Sequence, residues 1–149
     1  MGSRTLPFAV AILAGCGAGG DPGPTPDTGR GRRHFENFCA PCHHPDGRGV
    51  EGGGPPLSGS PWVSGPEDRL IRIVLHGVRG PIGVGGETYN REMLGFGRIL
   101  ADAEIASLLS FLRDKAGSPP IGPETVGRIR AAAGDRTDYW TVEELLKER

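Results

Sequence analysis

Gly29-Arg30-Gly31-Arg32-Arg33-His34-Phe35-Glu36-Asn37-Phe38-Cys39-Ala40-Pro41-Cys42-His43 is the stretch on which the fold turns. Gly31, Phe35 and Phe38 fall at near-helical spacing and run straight into a Cys-x-x-Cys-His turn. Such a turn holds two thiols close enough to add across the two vinyl groups of a haem, and the next histidine reaches the iron. A zinc site would need two more nitrogen or sulfur ligands at suitable spacing. No second cysteine pair exists, and the other histidines are His34, His44 and His76. A redox dithiol of the thioredoxin kind expects a βαβ context, which the surrounding pattern lacks. The motif therefore predicts one covalent haem c, attached at Cys39 and Cys42, with His43 as the proximal iron ligand.

Composition agrees with a core filled by something besides side chains. The 149 residues include 26 glycines and 14 prolines, while hydrophobic residues make up 36% and aromatics 6%. A flat apolar cofactor supplies what the side chains do not. The formal charge of −1 leaves no basic surplus for nucleic acid, so nucleic acid is excluded as a partner.

Upstream of this stretch the chain reads as an address. Arg4 precedes an apolar run from Leu6 to Gly15, too short for a hydrocarbon core that needs ~20 residues but suited to a signal peptide. The run ends Leu13-Ala14-Gly15-Cys16, which resembles a bacterial lipobox. That resemblance implies cleavage before Cys16 and lipid on its sulfur, and two or more acyl chains anchor a protein stably. Residues 17–28 are rich in Gly and Pro without apolar periodicity, a linker. With Cys16 lipidated and the other two cysteines on haem, no thiol remains for a disulfide.

Downstream, Pro66-Glu67-Asp68 opens a helix carrying Leu70, Ile71, Ile73, Val74 and Leu75, with Gly77 placed to end it. Asp102 opens another, where Ile105, Leu108, Leu109 and Leu112 recur at i, i+3, i+4 and i+7. Arg113 and Lys115 stand at its C-terminal end, where the helix dipole favours cations. Residues 124–133 predict a further helix, and Thr141-Val142-Glu143-Glu144 has capping-box spacing. No alternating strand pattern is visible, so the predicted class is all-α. The expected organisation is a signal peptide over 1–15, lipid-anchored Cys16 with a flexible linker over 16–28, a haem domain over 29–117, and a helical extension over 118–149.

From Gly29 to Gly117 the chain resembles the class I c-type cytochromes. In that family a small residue and an aromatic ahead of the first haem cysteine cross the last helix; Gly31 and Phe35 match them, opposite Leu108 and Phe111. The family's Gly-Pro-x-Leu loop is matched by Gly54-Pro55-Pro56-Leu57. The resemblance implies that the Pro55 carbonyl accepts the His43 ring N–H, fixing its tautomer, and that Leu57 packs on the haem face. It also implies an axial methionine ahead of the last helix. Met93 stands there and, once Met1 leaves with the leader, is the one methionine of the mature chain. Where relatives often carry proline after that methionine, this chain has Leu94-Gly95, which predicts a looser ligand loop.

The other histidines are given plainer roles: His44 pointing outward, His76 capping or packing at a helix end, His34 on a solvent face. Trp62, Arg79, Tyr89 and Asn90 could reach haem propionates, but packing accounts for the aromatics as well. The resemblance implies a one-electron carrier between membrane or periplasmic redox proteins, exported and lipid-anchored on the periplasmic side of a bacterial membrane, and no enzyme. Two alternatives stay open: the haem subunit of a larger dehydrogenase or oxidase, and a ligand sensor or peroxidase should Met93 not bind the iron.

Overall fold

The computed structural model describes residues 1–2 and 25–147; residues 3–24, with most of the expected leader and Cys16, and residues 148–149 lie outside. Helix α1 (Thr28–His34) starts at Asp27, whose carboxylate accepts the Arg30 backbone N–H at 3.0 Å. The chain then runs on through a π-helical turn, Phe35–Cys39, into α2 (Ala40–His43). Pro41 accounts for the widened turn. In a regular α-helix its ring would strike the carbonyl four residues back. Here the Ala40 N–H instead donates to Phe35 O, five residues back.

Two short segments lead to the middle of the fold: α3 (Pro61–Ser64) and α4 (Glu67–His76), the latter capped by Pro66 and ended by Gly77 at φ +81. All five apolar residues expected on α4 are buried. The last helix of the haem region, α5 (Asp102–Lys115), buries Ile105, Leu108, Leu109 and Leu112 against α1 and α4. Each fully buried aliphatic side chain of this kind contributes about 1.5–3 kcal/mol relative to exposure. Arg113 does more than face the helix dipole. It is buried and donates to the carbonyls of Val63, Gly65 and Pro119, at 3.1, 2.9 and 2.7 Å.

The crossing of α1 and α5 is as the resemblance implied. A Cβ on Gly31 would lie 2.6 Å from the Ser107 carbonyl carbon and 2.9 Å from Phe111 Cβ, and the Phe35 and Phe111 rings meet at 5.7 Å. Gly31→Ala should therefore push the helices apart and destabilise the protein by about 1–3 kcal/mol, the usual cost of overpacking. Chemical denaturation of the holoprotein checks this; an unchanged midpoint would mean that the helices do not meet at Gly31.

The all-α expectation holds only loosely. Among the described residues, five strands of two or three residues accompany the helices: β1 (Gly77–Arg79), β2 (Ile82–Val84), β3 (Glu87–Tyr89), β4 (Met93–Leu94) and β5 (Trp140–Thr141). Segments this short cannot display a two-residue period, so the sequence pattern hides them. β2 and β3 form a hairpin around Gly85-Gly86, both at positive φ, as a tight hairpin turn requires. β1 pairs antiparallel with β4 and parallel with β5.

Residues 118–147 pack on the rest of the chain. In α6 (Pro123–Ala133) Val126 and Ile129 join the main core, as does Ile121 before it. The Ser110 hydroxyl accepts from Ile121 N at 3.0 Å and donates to Ile121 O at 3.2 Å. In α7 (Val142–Lys147) the expected capping box forms: Glu144 accepts the Thr141 N–H at 2.7 Å, and Thr141 Oγ1 accepts the Glu144 N–H at 3.2 Å.

Candidate functional site

The two motif cysteines occupy different environments. Cys39 is buried at the end of the π turn, and burial pushes its thiol pKa up to about 12, with Cys42 adding to the effect. Cys42 is exposed, and both thiols are free. His43 ends α2 and is 7% exposed. Its Nδ1 lies 2.8 Å from Pro55 O. A carbonyl only accepts, so Nδ1 carries the proton and Nε2 keeps its lone pair. Burial outweighs that hydrogen bond and lowers the ring's pKa, which favours the neutral form needed of a metal ligand.

A glycine-rich loop holds this histidine. Gly54 N donates to Cys42 O at 2.8 Å and Gly49 N to His43 O at 3.0 Å. A Cβ on Gly54 would sit 2.7 Å from His43 Cε1, so only glycine lets the loop approach the ring. Leu57 N closes the loop on Gly47 O at 2.8 Å, and the half-buried Leu57 side chain packs on the main core. Cys39, Leu57 and Met93 thus meet on one apolar cluster.

Met93 lies on β4, half-buried, with its backbone opposite Val78 of β1. Its side chain packs against the main core and against a second cluster made of Ile73, Val78, Trp140 and Leu145. The glycines after it are not slack. A Cβ on Gly95 would come 2.7 Å from Leu75 O, and one on Gly97 would come equally near the same oxygen. Phe96 N and Gly97 N also donate to Val74 O and Leu75 O, at 2.8 and 2.9 Å. These residues carry the chain closely over the end of α4.

A family model described as Cytochrome c matches residues 29–115. The chain belongs to the cytochrome c family. Cytochrome c-552 of Thermus thermophilus is 35% identical over 104 residues, covering 62% of this chain and 79% of that protein. The cbb3-type cytochrome c oxidase subunit FixP of Azorhizobium caulinodans is 32% identical over 91 residues, covering 60% of this chain but 30% of FixP. The protein is accordingly a c-type cytochrome: an electron carrier with covalently bound haem c.

The residues of this cytochrome fit that cofactor. The Nε2 of His43 is a neutral donor, two free thiols stand on the preceding turn, and Phe38, Leu57, Met93 and Phe96 sit on the core only half-covered. Those half-covered groups offer the apolar surface that a haem face would bury. Among the described residues no group of three or more His, Cys, Asp or Glu side chains gathers as a metal site of its own.

The remaining candidates are committed elsewhere. His44, at φ +66, sets its Nδ1 2.7 Å from Asp46 Oδ1 while Arg48 bonds its Nε2 at 2.8 Å, bracing the loop start. His34 departs from its expected solvent face: it stacks on Phe38 with centroids 6.2 Å apart, and its Nε2 lies 3.8 Å from Glu104. His76 accepts from Trp140 Nε1 at 3.4 Å, and burial together with Arg136 lowers its pKa. The Trp62 indole donates to Gly83 O at 3.1 Å, and the Tyr89 hydroxyl to Glu87 at 2.9 Å. Sequence reasoning missed the hairpin, although Gly85-Gly86 was its signal. It also missed Gly54 as a steric requirement, and Arg91, whose guanidinium donates to Gly52 O.

Proposed function

We propose that this cytochrome is a monohaem carrier whose haem is attached at Cys39 and Cys42, with His43 and Met93 as axial ligands. The observation that carries this is the His43–Pro55 hydrogen bond, which leaves Nε2 as the ring's one free lone pair at the end of the CxxCH turn. Bound haem supplies a one-electron couple; His/Met ligation keeps its potential high, because a thioether favours the ferrous state. His43 contributes a fixed tautomer, Pro55 its orientation, Leu57 apolar cover, and Met93 a soft neutral donor on a strand. Film voltammetry of the holoprotein tests this: a single reversible one-electron wave is expected, and two waves or none would contradict it.

The domain over 29–117 is proposed to work at the periplasmic side of a membrane. Lipid on Cys16 and the 17–28 linker would hold it there, with residues 118–149 as an integral extension. Among the described residues no helix is long and apolar enough to cross a membrane. Cys16→Ser should transfer the protein from the membrane to the soluble fraction of a bacterium that processes lipoproteins. Mass spectrometry finding an unmodified Cys16 in the mature protein would remove the anchor. Its redox partners are proposed to be proteins in or at that membrane. The likeness to FixP, named as an oxidase subunit, favours one second reading: a haem domain that hands electrons on inside an oxidase complex.

A further inference from the structure

We propose that the C-terminal extension holds Met93 in its ligand position, with Trp140 and Arg130 as the positioning residues. The inference rests on Met93 being the sixth ligand and concerns what restrains it. The extension lies beyond the residues that the family model matches, which end at 115.

The end of α4 holds the residues after Met93 through Phe96 N and Gly97 N, but Met93 itself has fewer restraints. The position after Met93 holds Leu94, 65% exposed, where a proline would stiffen the backbone. Ahead of it, a Cβ on Gly80, Gly83, Gly85 or Gly86 would meet nothing within 4 Å. The pairing of β1 with β4 involves only Gly77–Leu94 and Val78–Met93, and a two-stranded ribbon is marginal alone.

The extension supplies what is missing in four ways. β5 adds the third strand, so that Val78 is paired with Met93 on one side and Trp140 on the other. The Trp140 side chain joins the cluster on which the Met93 side chain packs. It is itself fixed: the Arg136 guanidinium lies 3.7 Å over its ring and bonds Glu144, whose carboxyl pKa the Thr141 N–H and then the Thr141 hydroxyl and Arg136 hold near about 2. Tyr139 closes over Gly77, where a Cβ would fall 2.7 Å from its ring. On the other side of Met93, Arg130 of α6 donates to Gly97 O, to Leu100 O at 3.0 Å and to Asp102 at 2.7 Å. The ligand strand is therefore gripped by the extension both through the sheet and through the segment that follows it.

The test uses full-length ferric holoprotein and two readouts. One is the weak red-edge absorption band of methionine sulfur on iron, and the other is the affinity for added imidazole, which must displace Met93. Trp140→Ala should weaken the band and tighten imidazole binding about tenfold, a coupling of ordinary size between linked sites. Trp140→Phe should stay near the parent. Arg130→Gln leaves the buried cluster intact and should shift both readouts in the same direction, so it carries the test if Trp140→Ala does not fold. Phe111→Leu, at the α1–α5 crossing, should lower the unfolding midpoint while leaving imidazole affinity at the parent value. Parent-like band and affinity in the folded Trp140 and Arg130 variants would overturn the role of the extension alone. A parent with no band would overturn the reading of Met93 as ligand, and this proposal with it.

Discussion

Replacing Cys39 and Cys42 together by alanine should release the haem: denaturing, thiol-reducing electrophoresis should find it on the parent polypeptide and not on the variant. Both thiols are free in the structure and stand on the turn that ends in His43, with Cys39 in the apolar cluster on which Leu57 and Met93 pack. The loss should extend to folding. Ordering the backbone costs about 1–2 kcal/mol per residue, and a chain with 26 glycines and 6% aromatics has little apolar side-chain surface to offset it. Phe38, Leu57, Met93 and Phe96 are half-buried on the core, and a haem face would cover them. The double variant should therefore melt broadly, with weakened helical signal. Haem that leaves the parent under acidic organic extraction would contradict covalent attachment, and a sharp transition without haem would show that the side chains suffice.

Met93→Ala should lower the reduction potential by something on the order of 0.2 V, a fraction of the ~0.8 V that axial ligands span. The effect comes from removing the one soft donor that favours ferrous iron. No thioether replaces it, since the other methionine in the sequence is Met1. The same substitution should open the ferrous iron to carbon monoxide, which the parent binds poorly near neutral pH. Potentiometry and carbon monoxide titration of parent and variant check both outcomes. A parent that binds carbon monoxide rapidly and stoichiometrically would point instead to a sensor or peroxidase.

Much of this fold is written in the sequence. The helix positions followed from apolar spacing: Leu70 to Leu75 and Ile105 to Leu112 are buried as their periodicity requires. Gly31 was visible as the small residue of a helix crossing because its neighbours Phe35, Leu108 and Phe111 form a recognisable set. The Pro55 carbonyl meets the His43 ring as the Gly-Pro-x-Leu loop implied. The short strands were not legible, since two residues carry no period. His34 was misplaced for a related reason. Helical spacing alone does not reveal that α5 brings Glu104 to within 3.8 Å of it. The pairing of β5 with β1 was hidden because Val78 and Trp140 are separated by a sequence distance that no local pattern reports.

The proposed iron centre has both axial positions filled, by His43 and Met93, as suits an electron carrier. The absorption spectrum of the oxidised, unaltered holoprotein near neutral pH tests it most directly. A weak band at the red edge of the visible range is expected, absent in Met93→Ala. A spectrum without that band would contradict methionine ligation and with it the filled-site carrier described here.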